Sequence, residues 1–556
     1  MSILLSGETG HPASRREGDA LSRLRLINPT AAASVAFAAA AGGALMLSHP
    51  PTRWWWLTFL HVPLLLIALM LDRSQRPRAR GALLGMIAGA ACYGPLLSWL
   101  IAPAGWIGWF LLVAVQIAWM AFFGVLMVRY LDSFLLPLIA AVAMTGLDAW
   151  RSIWPMNGFE WGAIAYAHVD DSWLLPVARV LGGRGITFLV VLISVAALVV
   201  LRGLVDYQRG AAANTPEDLV RSQRVPLATL AIGVLMGAML VSDAPPERDR
   251  VDVLLVQGHD VRFWEQPEPR LFETVTAAMH ELTLEALADQ PPPDVVVWPE
   301  SSIDRDPEST IGQALLPFVD QAAAAAPELI AGTTLDGPDP ARNRYVAASH
   351  YRDGFNEVDR YVKRRLVPFG EYVPMRRWLD WFPPLEQIPR DALAGSEPGV
   401  MELRDGSRFA VVICFETLFT SLVRDNVLGD GQPAQAILTL TNDASFRETA
   451  EPDQHLAQSQ LRAIETGRWV VHGAISGSSA FVDPHGVIHD ATPLFTQTTI
   501  RRSIGLVDDL TPYLRVGDIV GVFTRIGVLG LVAVGFASRR QRQAVAGLSE
   551  TSVRVG

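Results

Sequence analysis

The chain has 556 residues, half of them hydrophobic, with 16 tryptophans and a positive mean hydropathy of +0.26, which is too apolar for an ordinary soluble protein of this size. The formal net charge of −10 comes with no basic stripe, so nucleic-acid binding is not expected. The composition instead predicts a membrane domain joined to a globular one.

Apolar runs close to the roughly 20 residues that cross a bilayer occur at 31–49, 54–71, 82–103, 106–128, 133–149, 185–201, 225–242 and 519–537. They predict about eight spans. The expected division is a cytoplasmic segment 1–30, a seven-helix membrane domain 31–243, an extracytoplasmic domain 244–514, a last transmembrane helix 515–538 and a cytoplasmic tail 539–556. Orientation follows from arginine placement, because basic loops stay on the cytoplasmic side. Arg15, Arg16, Arg23 and Arg25 precede the first run, and Arg73, Arg76, Arg78 and Arg80 follow the second. Arg129 follows the fourth, Arg202, Arg209, Arg221 and Arg224 the sixth, and Arg539, Arg540 and Arg542 the last. Eight crossings put all of these on one side. No small-residue cleavage site precedes a soluble domain, so the basic N-terminus reads as an anchor.

Between 244 and 514 the charge density is ordinary, and short continuous apolar strands alternate with helices, as in sheets covered on both faces. Strands are expected at 251–257, 294–298, 329–334, 408–413, 436–441 and 469–482, with helices running from after 257 to 288, at 311–325 and at 452–467. In such α/β sheets chemistry gathers at the carboxyl ends of strands. Glu300, Cys414 and Asn442-Asp443 stand at three of those ends. Of two cysteines, Cys92 lies within the third span and cannot readily reach Cys414, which is left as a free thiol.

Lys363 is the only lysine beside 45 arginines. Arginine is a broad fork that stays charged, whereas lysine is a compact ammonium that fits beside a reacting atom. A nucleophilic thiol needs a base or a cation to ionise, and no histidine stands in an obvious position for that role. Glu300, if partly desolvated, can act as that base. Lys363 and a backbone N–H after the cysteine can then hold an oxyanion.

The order Glu300, Lys363, Cys414 resembles the nitrilase superfamily, whose fold is a four-layer α-β-β-α sandwich. The runs Trp298-Pro299-Glu300-Ser301, Leu366-Val367-Pro368-Phe369-Gly370-Glu371-Tyr372-Val373-Pro374, Ile413-Cys414-Phe415-Glu416, Asn442-Asp443-Ala444 and Gln454-His455-Leu456 resemble its membrane-embedded branch, the bacterial apolipoprotein N-acyltransferases. So do Asn157-Gly158-Phe159, residues 182–188, and Thr511-Pro512-Tyr513 with Arg515, Gly517 and Asp518. The resemblance implies transfer of an acyl chain from a membrane phospholipid to Cys414 as a thioester, then to the α-amino group of a diacylglyceryl-cysteine that begins a maturing lipoprotein. It implies Glu300 as general base, Lys363 as oxyanion stabiliser, Cys414 as nucleophile, and Glu371 and Glu416 as further site carboxylates, Glu371 orienting the lysine. It places the enzyme in the bacterial cytoplasmic membrane, working as a monomer without cofactor or metal.

Phe415 stands where tyrosine is usual in that family, and Ser445 where tryptophan is common. Both changes bear on substrate preference rather than on the triad. Trp264 is matched to the family's substrate-contacting tryptophan only loosely, because residues 259–266 do not align cleanly. Trp378, Trp381 and Phe382 form an apolar loop suited to the membrane interface and to lipid access. Two other readings stay open at this point: a membrane-tethered amidase with water as acceptor, and a non-catalytic scaffold. The eight-span body argues against the first and the intact triad against the second.

Overall fold

The computed structural model describes residues 29–71, 76–170, 172–210, 215–240, 242–259, 261–262, 264–265, 271–379 and 388–535. Seven apolar helices precede the sandwich: α1 (Pro29–Ser48), α2 (Thr58–Leu71), α3 (Pro77–Leu96), α4 (Ile101–Met127), α5 (Leu136–Arg151), α6 (Ala178–Gln208) and α7 (Pro216–Met239). An eighth, α13 (Ile519–Gly535), follows it. Four of them, at Pro29–Ser48, Ser98–Met127, Leu175–Gln208 and Ser222–Met239, are long and apolar enough to cross a membrane by themselves. The break expected near residue 104 is present at Gly105, whose backbone is non-helical (φ +65°, ψ −177°), and a short 3-10 turn at Ser98–Leu100 precedes it.

The arginine-bearing ends gather at one end of this bundle. Arg202 lies near Asp132 and the Met70 sulfur, and Arg80 reaches the carbonyl of Ala31. The other end carries the sandwich. There Gln454 accepts from both Trp99 and Trp161 and donates to the carbonyls of Pro50 and Leu96. Arg184 of α6 pairs with Glu160 and Asp518, and Glu465 accepts from the Gly183 N–H. These buried charges are all paired, as charges away from water must be.

The sandwich has two mixed sheets. The first runs β13 (Thr498–Leu506), β1 (Asp249–Gln257), β2 (Val295–Ile303), β3 (Leu329–Asp336), β4 (Asn343–Tyr351) and β5 (Glu357–Val362), with β6 (Asp391–Ala392) on β4. The second runs β12 (Ile488–His489), β11 (Ala480–Val482), β10 (Val470–Ala474), β9 (Ala436–Thr441), β8 (Arg408–Ile413) and β7 (Val400–Glu402). Val251, Val253 and Leu255 of β1 pack with Val411, Ile413 and Leu438 between the sheets. Leu254 and Val256 face the other way, against α8 (Leu271–Ala288) and α9 (Leu316–Ala325). Burial of both faces is why the strands read as unbroken apolar runs. On the second sheet's outer face lie α11 (Thr420–Leu428) and α12 (Glu451–Thr466), and their apolar residues share one core with the apolar helices of the bundle. The layers are therefore α-β-β-α, with one outer layer seated on the bundle.

Two sequence expectations are corrected. The span 469–482 is a hairpin, β10 paired antiparallel with β11, because five residues turn between them. Glu300 is not at the end of its strand: β2 continues to Ile303 through a register shift after Trp298, with Ser301 at φ +62°. The bulge turns the glutamate side chain out of the ladder. A Cβ on Gly332 of β3 would lie 2.3 Å from the Pro299 carbonyl, so the neighbouring strand passes the bulge only as glycine.

Candidate active site

β1, β2 and β3 run parallel, as do β8, β9 and β10, so their carboxyl ends meet at one edge of the sandwich. β5 is antiparallel to β4, which is antiparallel to β3, so Lys363, one residue past β5, emerges at that same edge. Its ammonium is fully buried. Nζ donates to Glu300 Oε1 at 3.0 Å and to Glu371 Oε1 at 2.6 Å. The second oxygen of each carboxylate is held by backbone: Glu300 Oε2 accepts from the Asn442 N–H at 3.0 Å, and Glu371 Oε2 from the Val367 N–H at 2.8 Å. The Val-Pro-Phe-Gly-Glu loop thus folds back to aim Glu371 at the lysine.

Cys414 follows β8 directly and opens the short 3-10 helix Cys414–Leu418, with φ +50°. A non-glycine residue in this region is strained, and such strain collects at functional turns. Burial raises the Cys414 thiol well above its ordinary pKa, the Glu300 charge adds to this, and Lys363 opposes it. Burial also raises the Glu300 carboxyl, against the pull of Lys363 and with help from the Glu371 charge. For Lys363 burial acts downward, but the charges of Glu300 and Glu371 outweigh it and hold the ammonium well above the usual lysine value. The resting site therefore holds a fixed ammonium, a carboxylate of raised basicity and a protonated thiol.

Glu416 lies apart from that trio and is a clamp. It accepts from the N–H groups of Arg364 (2.6 Å), Arg365 (2.9 Å) and Ile413 (2.9 Å) and from the Tyr361 hydroxyl (3.0 Å). It ties the residues on either side of Lys363 and Cys414 to one carboxylate. Phe415 points toward the bundle, stacked on Phe159 at 6.3 Å and edge-on to Phe419 at 5.0 Å, and Phe159 stacks in turn on Trp161 at 5.9 Å.

The expected access residues divide. Trp264 packs edge-on against Phe495 at 5.0 Å with the Arg447 guanidinium 5.4 Å above its ring. Trp378 is 65% exposed on the short helix α10 (Arg376–Leu379), under the Arg377 guanidinium. Trp381 and Phe382 lie outside the described residues. Sequence reasoning gave no role to Tyr361, to the Asn442 N–H or to Asp443 and His455. The first lies two residues before Lys363; Asn442-Asp443 stood out only by their place at a strand end, and His455 only within a run resembling the family. Asp443, His455 and His472 each offer an atom that could hold a metal, spread over as much as 4.8 Å, wider than the roughly 3.3 Å between ligands around tetrahedral zinc with bonds of about 2.0 Å. Cys92 is buried in α3 and is a free thiol, as is Cys414.

A family model described as the apolipoprotein N-acyltransferase N-terminal domain matches residues 41–196, and one described as carbon-nitrogen hydrolase matches residues 264–508. Among curated relatives, an apolipoprotein N-acyltransferase of Brucella suis is 32% identical over 73% of this chain and 76% of its own length. One from Geobacter metallireducens is 26% identical over 82% of this chain and 86% of its own. One from Brucella melitensis is 31% identical over 66% of this chain, which spans 65% of that relative's length. A solved amidase of the nitrilase superfamily from Nesterenkonia is similar over 49% of this chain and 96% of its own, at 18% identity and a TM-score of 0.33.

Proposed function

The chain belongs to the apolipoprotein N-acyltransferase family, and we propose that it N-acylates lipoproteins through a thioester on Cys414, in two half-reactions that share Glu300 and Lys363. The observation that carries this reading is the buried Lys363 ammonium, held between Glu300 and Glu371 beside the strained turn at Cys414.

In the first half-reaction Glu300 takes the thiol proton as Sγ attacks an ester carbonyl of a phospholipid. The negative charge that develops on the carbonyl oxygen is met by Lys363 and the Phe415 N–H. The C–O bond breaks, the proton on Glu300 passes to the departing alkoxide, and a lysophospholipid leaves. In the second, the α-amine of the diacylglyceryl-cysteine attacks the thioester and gives a proton to Glu300. The same donors hold the oxyanion, the C–S bond breaks, and the proton returns to sulfur. The products are the amide and the free enzyme. The raised pKa of Glu300 suits both transfers, since a base works best with a pKa near the working pH. Glu371 orients the lysine.

We read all eight helices as spans in the bacterial cytoplasmic membrane. The gathering of arginine loops at the bundle end remote from the sandwich supports an extracytoplasmic catalytic domain and cytoplasmic termini. Residues 1–30 and 539–556 then face the cytoplasm, 31–243 and 515–538 the bilayer, and 244–514 the exterior. Lateral access from the bilayer suits two lipidated substrates, with Trp378 and its loop at the interface and Trp264 near the approach, and one copy of the chain contains every group used.

Incubation with an alkyne-labelled phospholipid is expected to leave a hydroxylamine-sensitive label on the protein, absent in Cys414→Ala. A label of equal intensity in Cys414→Ala would sink the assignment. Mass spectrometry of lipoprotein N-termini from cells with and without this gene reads the product directly, as gain or loss of one amide-linked chain.

A further inference from the structure

Against the carbonyl of the nucleophile lies a buried pair that the mechanism has not used. His455, in the second turn of α12, is 1% exposed, and its Nε2 lies 3.2 Å from the Cys414 carbonyl oxygen. Its Nδ1 faces Asp443 Oδ1 at 3.4 Å, with Thr441 Oγ1 at 3.4 Å and Glu451 Oε1 at 3.8 Å. A carbonyl oxygen and a carboxylate oxygen only accept, so Nε2 carries a proton toward Cys414 and Nδ1 one toward Asp443. Thr441 donates to the same Asp443 oxygen at 2.8 Å. The imidazole is further held edge-on by His472 at 5.3 Å and tilted against Trp161 at 6.1 Å. Of these groups Thr441 reaches the reacting sulfur, by a side-chain hydrogen bond to the Cys414 thiol, whereas His455 meets only the carbonyl.

The peptide between Cys414 and Phe415 is planar and trans, so its C=O and N–H point in opposite directions. Fixing the carbonyl on His455 therefore fixes the direction of the Phe415 N–H. That N–H lies in the first turn of its short helix, where no carbonyl one turn back can take it. Cys414 sits at φ +50°, in a region strained for an L-residue, so the peptide would relax unless something held it. A donor on the carbonyl also polarises the peptide and strengthens the opposite N–H.

We propose that His455, held by Asp443, is a positioning residue that locks the Cys414–Phe415 peptide with its N–H turned to the oxyanion. The same segment serves the base, since the Asn442 N–H, one residue before Asp443, holds Glu300. Asn442-Asp443 thus aligns base and oxyanion donor together. This inference rests on the thioester mechanism proposed above.

The test compares two reactions of Cys414 in the full-length protein. Acylation by a labelled phospholipid passes through an oxyanion, whereas alkylation by iodoacetamide displaces iodide and forms none. His455→Leu is expected to slow acylation by about tenfold or more, toward the 10²–10³ typical of losing an oxyanion donor. The loss should fall on kcat rather than KM, and alkylation should change at most about threefold. His455→Gln, which keeps an N–H for the carbonyl, should recover to within about threefold of the wild-type acylation rate. Wild-type acylation in His455→Leu would overturn the inference and leave the thioester mechanism standing. Equal loss of acylation and alkylation would also overturn it, by showing a general effect on the thiol or the fold. Absence of the thioester in wild type itself would instead overturn the mechanism.

Discussion

Lys363→Arg separates shape from charge at the centre of the site. The lysine side chain is 1% exposed, with Nζ 3.0 Å from Glu300 and 2.6 Å from Glu371. Removing the charge, as in Lys363→Met, would leave two buried carboxylates facing each other without a counterion, a loss of about 3–5 kcal/mol that threatens the fold itself. Arginine keeps the charge and so spares the domain. Its planar fork is wider than an ammonium and engages carboxylates in bidentate fashion, so it binds Glu300 or Glu371 at the cost of the oxyanion contact. Losing one preorganised donor costs about 2.7–4 kcal/mol, or roughly 10²–10³ in rate. The assay is formation of N-acylated lipoprotein by purified variant, with circular dichroism to check folding. A rate within about threefold of wild type would show that any cation suffices, and that the single lysine is an accident of composition.

The pH dependence has a definite sign. Burial and the Glu371 charge hold Glu300 above its ordinary pKa of 4.5, so kcat/KM should fall with acidification at a pH above that value. Glu371→Gln removes one of the charges that raise Glu300, and the acid limb should move to lower pH; an unmoved or rising limb would exclude Glu300 as the base. Lys363 is raised, so its contribution to stability is fully present below the ordinary lysine value and is lost only as pH rises through the higher folded value; thermal stability near neutrality should not report on it. Tyr361→Phe removes the hydroxyl that donates to the buried Glu416 and should lower unfolding stability by about 1.5–3 kcal/mol, read as a lower Tm in detergent. A periplasm-active reporter fused near Gly337 should be active and one after Arg540 inactive, and the reverse would overturn the orientation. Trp378→Ala should slow acylation by phospholipid while leaving Cys414 open to a small thiol probe.

Local chemistry and composition carried most of the reading. Apolar runs located the eight apolar helices, four of them long and apolar enough to cross a bilayer, because length and apolarity along the chain are one-dimensional properties. A single lysine among arginines marked the ammonium because substitution by arginine is cheap wherever only charge matters. The strands at 251–257, 329–334, 408–413 and 436–441 showed themselves because strands buried on both faces carry no polar residues. Other features depended on groups distant in sequence. The bulge that turns Glu300 out of β2 requires β3 to pass it at Gly332, and the 3-10 turn before α4 falls at Ser98–Leu100, where Trp99 meets Gln454 of the sandwich. Glu416 was legible as a further carboxylate, but its four backbone and phenol donors came together only in the fold. His455 gave no sign of a role, because a histidine 41 residues from Cys414 gains one only when α12 packs behind β8 and brings its Nε2 to the cysteine carbonyl. Hydrogen-bond direction is decided by packing, and packing of this sandwich against the bundle is a property of the folded whole.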